Sequence, residues 1–489
     1  MTTPPGRPRR PDSDRSADRG PRQRLAQQAR PPARSGPRRP PSARRTAYDL
    51  LHEVGGGDAY ANLVLPRLLR EADLSDRDAA FATELAYGTL RWRGLYDPIL
   101  AACVDRPLDK LDPRLLDVLR MGCHQLLGLG TPVHAAVGES VDLARDVLGD
   151  GASRLANAVL RKVAAADRAA WISRVAPAWE ADPAGHLAVA WSHPLWIVRA
   201  LREALGTTWE ETALVLEADN APARPVLAAR PGLLTHEELL AMPGVEPGRW
   251  SPYAGVLATG RPDRIAAVRD GRVSVQDEGS QLVALAVAAA PMAGPDERWV
   301  DLCAGPGGKA ALLACVAVER GAHLTAVEPM EHRARLVERT LQRIPGRPTV
   351  VVGDGRTVDL GRPDRILVDA PCTGLGALRR RPEARWRRTP ADIGQLGLLQ
   401  RGLLSAALDA VRPGGIVGYV TCSPHLAETS QVVADVLRDR PGVRILDARP
   451  VLAQVCGREV PDLGEGPTVR LWPHRQGTDA MFLALLTRT

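Results

Sequence analysis

The chain has 489 residues, 45% of them hydrophobic, which suffices for more than one core and sets an expectation of two to four domains. No stretch reaches the about 18 apolar residues of a membrane helix, and the N-terminus lacks the apolar core of a secretory signal, so a cytoplasmic protein with no membrane partner is expected. The formal charge of +7 is uneven: residues 1–45 carry 13 Arg against three Asp, a net of +10, and the rest carries 51 basic and 54 acidic residues, a net of −3.

Residues 1–42 are Pro, Arg, Ser and Gly with little to bury, so they read as a disordered tail. Such an arm either holds nucleic acid through phosphate contacts or is simply solvated. From 43 to 168 the apolar spacing is helical: Leu115, Val118, Leu119 and Leu126 share one face, and Val137, Val141, Ala144 and Leu148 another. Asp112 and Pro113 form a cap and first-turn pair. Residues 169–290 are broken by Pro, Trp and Gly, with a helix near 194–205 and strand-like pieces PVLAAR and GVLATG, and read as a connector and small α/β subdomain.

From 291 to 489 strands alternate with helices. RWVDL precedes a helix over 308–319, HLTAV one over 331–343, RILVDA one over 391–412, and GIVGYVT one over 424–438; TVVV and MFLALL are further strands. This alternation predicts a parallel, doubly wound sheet that binds ligands at the carboxyl ends of its strands.

The first strand end reads DLCAGPGGK, Asp301 to Lys309. Gly305, Gly307 and Gly308 let backbone approach a ligand, although a tight strand-to-helix turn needs glycine for steric reasons too. Only three Lys stand against 61 Arg, so a Lys309 retained inside this loop points to chemistry. Glu328 ends the second strand, placed to accept from ribose hydroxyls, and Asp354 ends the third, placed either to accept an adenine amino group or to make a turn. The G-x-G-x-x-G and Walker spacings are absent. An adenosine ligand without a pyrophosphate fits, and S-adenosylmethionine is the common one.

Seven Cys at 103, 123, 303, 315, 372, 422 and 456 form no C-x-x-C pair, so neither a disulfide framework nor a metal site is expected. Cys103, Cys123, Cys315 and Cys456 read as inert small hydrophobes. VDAPCTGLG, however, places Asp369 at the end of strand four with Cys372 just beyond, and VTCSPH places Cys422 at the end of strand five. On neighbouring strands, both sulfurs would face one crevice. Ser423 and Pro424 read as the cap and first turn of the following helix, which sets Cys422 ahead of a positive helix terminus, where thiol pKa values fall. Thiolate addition at carbon 6 of a pyrimidine turns the ring into an enamine whose carbon 5 attacks a methyl sulfonium. Asp369 would assist near ring nitrogen 3, and Cys372 would serve the removal of the carbon 5 proton and release of the thiolate. DAPC lacks the aromatic residue that follows Asp/Asn-Pro-Pro in enzymes acting on exocyclic amines.

In this order, QDEGSQ (276–281), DLCAGPGGK, VEPMEHR, GDGR, DAPCTGLG and VTCSPHLAET resemble the motifs of the RsmB-type RNA 5-cytosine methyltransferases, also called Sun or Fmu, over roughly 194–489. RTAYDLLHEV, DRDAAFATELAYGTLRWRG and ANAVLRKV resemble the NusB-like RNA-binding domain of the same proteins. The resemblance implies an all-α NusB-like domain plus an α/β Rossmann-like (class I) methyltransferase domain with a small α/β subdomain before it. It implies S-adenosylmethionine contacts from Cys303, Ala304, Gly305, Pro306, Gly307, Gly308, Lys309, Glu328, Asp354 and Asp369, with Arg333 supporting the site, Cys422 as nucleophile and Cys372 aiding release. Asp369 is thus open to a cofactor role, a base role or both. Gly305 stands where the family usually has Ala, Thr429 where Asn commonly follows Glu428, and Asp479-Ala480-Met481-Phe482 where Asp-Gly-Phe-Phe is usual.

The expected protein is a monomeric enzyme that methylates a cytosine of 16S ribosomal RNA, with RNA as its partner. A DNA cytosine methyltransferase using Cys372 as nucleophile is one alternative, and a non-catalytic RNA-binding assembly or antitermination factor is another.

Overall fold

The computed structural model describes residues 1–2, 42–57 and 59–489, so the tail expected over 1–42 lies outside the described residues from 3 to 41. Seven helices open the described chain: α1 (Ala43–Gly55), α2 (Ala61–Ala72), α3 (Asp76–Cys103), α4 (Pro113–Cys123), α5 (Val133–Leu148), α6 (Asp150–Val163) and α7 (Arg168–Val175). Local chemistry sets their starts. Ser42, Ser75 and Asp112 each accept a first-turn amide, from Arg45, Asp78 and Arg114 respectively, and Pro113 supplies the fixed φ of a first turn. Leu115, Val118 and Leu119 are buried in one apolar cluster with Val137 and Ala144, while Leu126, Val141 and Leu148 are partly buried against it.

Three more helices, α8 (Pro183–Ala190), α9 (Leu195–Leu205) and α10 (Trp209–Asn220), lead to a small sheet. Its elements are β1 (Val226–Ala229), α11 (His236–Leu240), β2 (Val245–Pro247), β3 (Ala254–Leu257), α12 (Ala266–Arg269) and β4 (Val273–Val275), and the strands lie in the order β2-β3-β1-β4. PVLAAR and GVLATG supply β1 and β3, antiparallel partners with Leu227 opposite Gly255.

The rest of the chain is α13 (Glu278–Ala289), β5 (Arg298–Asp301), α14 (Gly308–Glu319), β6 (His323–Glu328), α15 (Glu331–Leu341), β7 (Thr349–Val352), β8 (Arg365–Asp369), α16 (Ala384–Arg387), α17 (Pro390–Ala410), β9 (Ile416–Thr421), α18 (Ser430–Leu437), β10 (Val443–Leu446), α19 (Ala448–Cys456), β11 (Val469–Leu471) and β12 (Met481–Arg488). The large sheet runs β10-β12-β9-β8-β5-β6-β7, with β11 pairing β12. Strands β5 to β9 are mutually parallel and β12 is antiparallel to β9. Successive residues of β5, β9 and β12 point to opposite faces. Trp299, Val420 and Leu483 pack with α13, α14 and α19, whereas Val300, Val417 and Phe482 pack with α17 and α18. This is a Rossmann-like sheet with helices on both faces. Among the described residues, no helix is long and apolar enough to cross a membrane.

The helix expected over 424–438 is shorter than its sequence pattern. A 3₁₀ turn covers Leu426–Glu428, and α18 begins only at Ser430. Ser423 caps no helix; its hydroxyl donates to the buried Glu428 carboxylate instead. The strands β10 and β11 and helix α19 were not foreseen, because β10 is half-exposed and β11 is only three residues long.

Residues 383–388, between β8 and α17, reach into the N-terminal helices. The fully buried Arg385 guanidinium donates to Asn220 Oδ1 (2.7 Å) and to the carbonyls of Asp219 (2.8 Å), Arg91 (3.2 Å) and Ser192 (3.2 Å). Trp386 donates to Leu90 O, Arg387 to the carbonyls of Val54, Gly57 and Ala59, and Glu383 accepts from Ala61 N–H. Burial pulls the Arg385 pKa down to about 9, with Asp219 opposing the shift and Arg91 adding to it. Arg385→Met orphans those acceptors, and we expect it to lose about 3–5 kcal/mol in urea unfolding, with Arg385→Lys intermediate. An unchanged midpoint would mean that the guanidinium contributes nothing to the junction.

Candidate functional site

The loop from Leu302 to Gly307 lies over the carboxyl ends of β5, β6 and β8, held by Leu302 N–H to Leu367 O and Ala304 N–H to Val327 O, both 2.9 Å. Gly307, with φ +109°, makes the turn into α14. Glu328, at the end of β6, is buried and folds back on the loop. One carboxylate oxygen accepts from Gly305 N–H (3.1 Å) and the other from Met330 N–H (3.1 Å). Arg333 completes the unit, donating to Gly305 O at 2.8 Å and lying 3.5 Å from Glu328. A Cβ at position 305 would stand 2.1 Å from Glu328 Oε2 and 2.8 Å from Arg333 Nη2. In this chain, therefore, the departure from Ala at 305 is what lets both side chains close on the loop.

The structure brings Gly305, Glu328 and Arg333 together but leaves Asp354 apart. Both of its oxygens are bonded to Arg356 of the same turn, whose guanidinium holds the carboxyl below the usual carboxylate range. Two apolar side chains that sequence reading passed over flank this edge: Met330, 50% exposed, just beyond β6, and Val352, 53% exposed, at the end of β7. Water-facing apolar residues at two adjacent strand ends are the signal that was available.

Strands β8 and β9 are parallel neighbours, with Asp369 opposite Val420. That register brings Cys372 Sγ within 3.4 Å of Cys422 Sγ. Lys309 Nζ lies 2.8 Å from Asp369 Oδ2 in an ion pair mostly shielded from water. Burial opposes the ammonium charge, but Asp369 and Cys422 outweigh it and raise the Lys309 pKa. Asp301 lies beneath, fully buried, its pKa pushed up to about 7 by burial and then by Asp369. Burial likewise drives the Cys303 thiol well above its ordinary range, with Asp301 and Asp369 adding to the effect.

The thiol pair is asymmetric. Cys422 is held below the ordinary thiol range by the hydrogen bond from Cys372, with Lys309 and Arg381 adding positive potential. Cys372 is raised by the same hydrogen bond, and Glu428 and Asp369 push it further up. The same sulfur–sulfur contact thus favours the thiolate at Cys422 and opposes it at Cys372. The cause is not a helix terminus, as the sequence implied, because α18 begins eight residues beyond Cys422. Two side chains and the partner sulfur do this work. Both sulfurs are partly exposed beside the Lys309–Asp369 ion pair, an arrangement that can supply a nucleophile with a second thiol at hand.

Glu428 was visible only as a motif letter, yet it fixes this geometry. Fully buried, it accepts from Thr373 N–H (2.8 Å) and Gln400 Nε2 (3.2 Å) on one oxygen, and from Ser423 Oγ (2.6 Å) and Thr373 Oγ1 on the other. Thr373 follows Cys372 and Ser423 follows Cys422, so one carboxylate clasps both loops. Gly376 N–H to Cys422 O (2.9 Å) and Ala480 N–H to Gly376 O (2.9 Å) tie the same loops to the segment before β12. There Asp479 and Asp277 share Arg379 and Arg380, which joins the QDEGSQ stretch to the Asp479-Ala480-Met481-Phe482 ending.

Residues 288–487 match the family described as 16S rRNA methyltransferase RsmB/F, and residues 41–165 match the NusB family. A protein of Mycobacterium tuberculosis strain H37Rv, named as a methyltransferase without a substrate, is 52% identical over 94% of this chain and 99% of its own length. The ribosomal RNA small subunit methyltransferase B of Pseudomonas putida is 33% identical over 85% of this chain and 94% of its own. A solved structure, designated PH0851, superposes with a TM-score of 0.73 at 23% identity, covering 91% of this chain and 98% of that one, and so shares the fold. A methyltransferase sheet with its Gly-rich first loop, preceded by NusB-family helices, thus places this chain in the RsmB/Sun/Fmu family of RNA methyltransferases.

Proposed function

We propose that this chain methylates carbon 5 of a cytosine in 16S ribosomal RNA, with S-adenosylmethionine as methyl donor and Cys422 as covalent nucleophile. The observation that carries this reading is the pair of sulfurs 3.4 Å apart at neighbouring strand ends, beside the Lys309–Asp369 ion pair. The substrate class is supported by relatives named as ribosomal RNA small subunit methyltransferases B.

The residues at the first two strand ends fit the donor. The stretch from Cys303 to Gly308 presents backbone, and the Glu328 carboxylate, now satisfied by loop amides, suits ribose hydroxyls. Met330 and Val352 offer exposed apolar surface for a purine. Bound there, S-adenosylmethionine supplies an electrophilic methyl group.

Cys422, its pKa lowered, bonds as the thiolate to carbon 6 of the cytosine while ring nitrogen 3 takes up a proton through Asp369. The electrons of the ring double bond become available at carbon 5, where the methyl group is accepted. Once Cys422 is bonded to the ring, Cys372 no longer shares its proton with a thiolate. It gives that proton to solvent and takes the one on carbon 5. The carbon–sulfur bond then breaks, Cys422 leaves as thiolate, nitrogen 3 returns its proton, and the aromatic ring is restored. Lys309 stays paired with Asp369 and keeps positive potential beside the leaving sulfur.

Cys422→Ala is expected to abolish methyl transfer to a 16S rRNA transcript while isothermal titration still detects S-adenosylmethionine; a fully active variant rejects the assignment. Cys372→Ala should accumulate a covalent enzyme–RNA adduct, read as a shifted band on a denaturing gel. If the two phenotypes exchange, Cys372 is the nucleophile. Lys309→Met removes a cation that favours the Cys422 thiolate, so the pH midpoint for alkylation of Cys422 by iodoacetamide should move upward. A midpoint that stays put or falls excludes Lys309 from thiolate stabilisation.

A further inference from the structure

An open groove of about 450 Å³ lies between α9, the start of α17 and the segment after Cys422, and the steps above do not use it. Its walls include Trp196, Arg199, Glu203, Pro390, Ile393 and His425. Trp196 is half-buried, and among the described residues its ring meets no other aromatic ring and no guanidinium. Most tryptophans here are covered that way: Trp92 and Arg168, Trp209 and Arg202, Trp250 and Arg249. Arg199 is exposed and makes no ion pair or hydrogen bond with the described residues. His425 Nδ1 accepts from Ala427 N–H, which leaves the far edge of the imidazole for the groove, and burial holds the ring below its ordinary pKa and therefore neutral at pH 7.

The walls connect to both thiol loops. His425 belongs to the loop that carries Cys422, and Pro390 follows Arg388, whose Nε donates to Thr373 O beside Cys372 at 3.1 Å. A strand that delivers its base to Cys422 must continue past one of these walls, because a flipped nucleotide carries its neighbours with it. An uncovered indole, a neutral imidazole and an unpaired guanidinium are what such a neighbour needs: a stacking face and a phosphate partner. An apolar peptide would leave Arg199 and Glu203 without partners. A nucleotide gives the guanidinium a phosphate and the carboxylate a base N–H or ribose hydroxyl.

We propose that this groove is a nucleotide subsite for the RNA residue next to the methylated cytosine, with its base on Trp196 and its phosphate on Arg199. The proposal rests on RNA being the substrate, as argued in the preceding section, and it adds a determinant of which cytosine is chosen. Filter binding of full-length protein to a 16S rRNA transcript tests it independently of catalysis. Trp196→Ala should weaken binding about tenfold, with Trp196→Phe within about twofold of wild type. Arg199→Ala, an exposed change that does not disturb the core, should lower the slope of log affinity against log salt by about one. In methylation assays the Trp196→Ala loss should fall on KM for RNA rather than on kcat. With 4-thiouridine in the transcript, the photo-crosslinked peptide should contain Trp196 or His425. Unchanged affinity in Trp196→Ala together with an unchanged salt slope in Arg199→Ala overturns the subsite, as does a crosslink confined to other peptides. A wild-type protein that binds the transcript through this groove but transfers no methyl group would instead defeat the proposed reaction and leave the subsite standing.

Discussion

The Glu428 carboxylate is the constraint on which the rest of the site depends. A buried carboxylate is costly unless its acceptor positions are filled, and hydrogen bonds to a charged group contribute about 1.5–3 kcal/mol each. Here the donors come from Thr373, Ser423 and Gln400. Two of these residues sit directly behind the two thiols, so satisfying the charge also fixes the separation of the sulfurs. The parallel register of β8 and β9 brings the strand ends together, but strands alone leave the loops beyond them free. One carboxylate converts neighbouring loops into one rigid body.

That body is wired outward through a single stretch of chain. From Arg379 and Arg380, locked between Asp277 and Asp479, the chain continues to the buried Arg385, to Trp386 and Arg387 among the N-terminal helices, and back to Arg388 on Thr373 O. The NusB-family helices are thus docked by the same ten residues that frame Cys372. The arrangement suits an enzyme whose substrate is large: the NusB-family helices and the loop that carries Cys372 are held by shared contacts. Arg381 in this run is exposed, and its charge acts on Cys422.

The features that follow from local rules were legible in the sequence. Periodicity gave the helices around Leu115 and Leu119 and the strands whose alternate residues, such as Trp299 and Val300, serve opposite faces. Gly residues marked the turn from β5 into α14, and acidic residues the ends of β6 and β8. What could not be read depends on partners distant in sequence. Ser423-Pro424 satisfies the local grammar of a helix start, yet Ser423 answers to Glu428 and Thr373 instead. Arg385 looks like one more arginine in a basic run, and only folding shows it fully buried among carbonyls. Gly305 read as a tolerated departure from the family, whereas its missing Cβ is where Glu328 and Arg333 close.

In the proposed reaction the same distant partners bear on which sulfur attacks. Chain order alone offers both: Pro371-Cys372 resembles the nucleophile setting of DNA cytosine methyltransferases, and Cys422 that of the RNA enzymes. Potential breaks the tie. The hydrogen bond with Cys372, then Lys309 and Arg381, favours the Cys422 thiolate against burial and Asp369, whereas nothing offsets burial, Glu428 and Asp369 at Cys372. At an effective dielectric near 20, one charge at about 4 Å is worth roughly 4 kcal/mol, several times the 1.4 kcal/mol of a tenfold preference, so modest differences in distance suffice to localise the proton. Glu428 therefore has two consequences from one placement: its hydrogen bonds set the spacing of the pair, and its charge opposes a thiolate at Cys372.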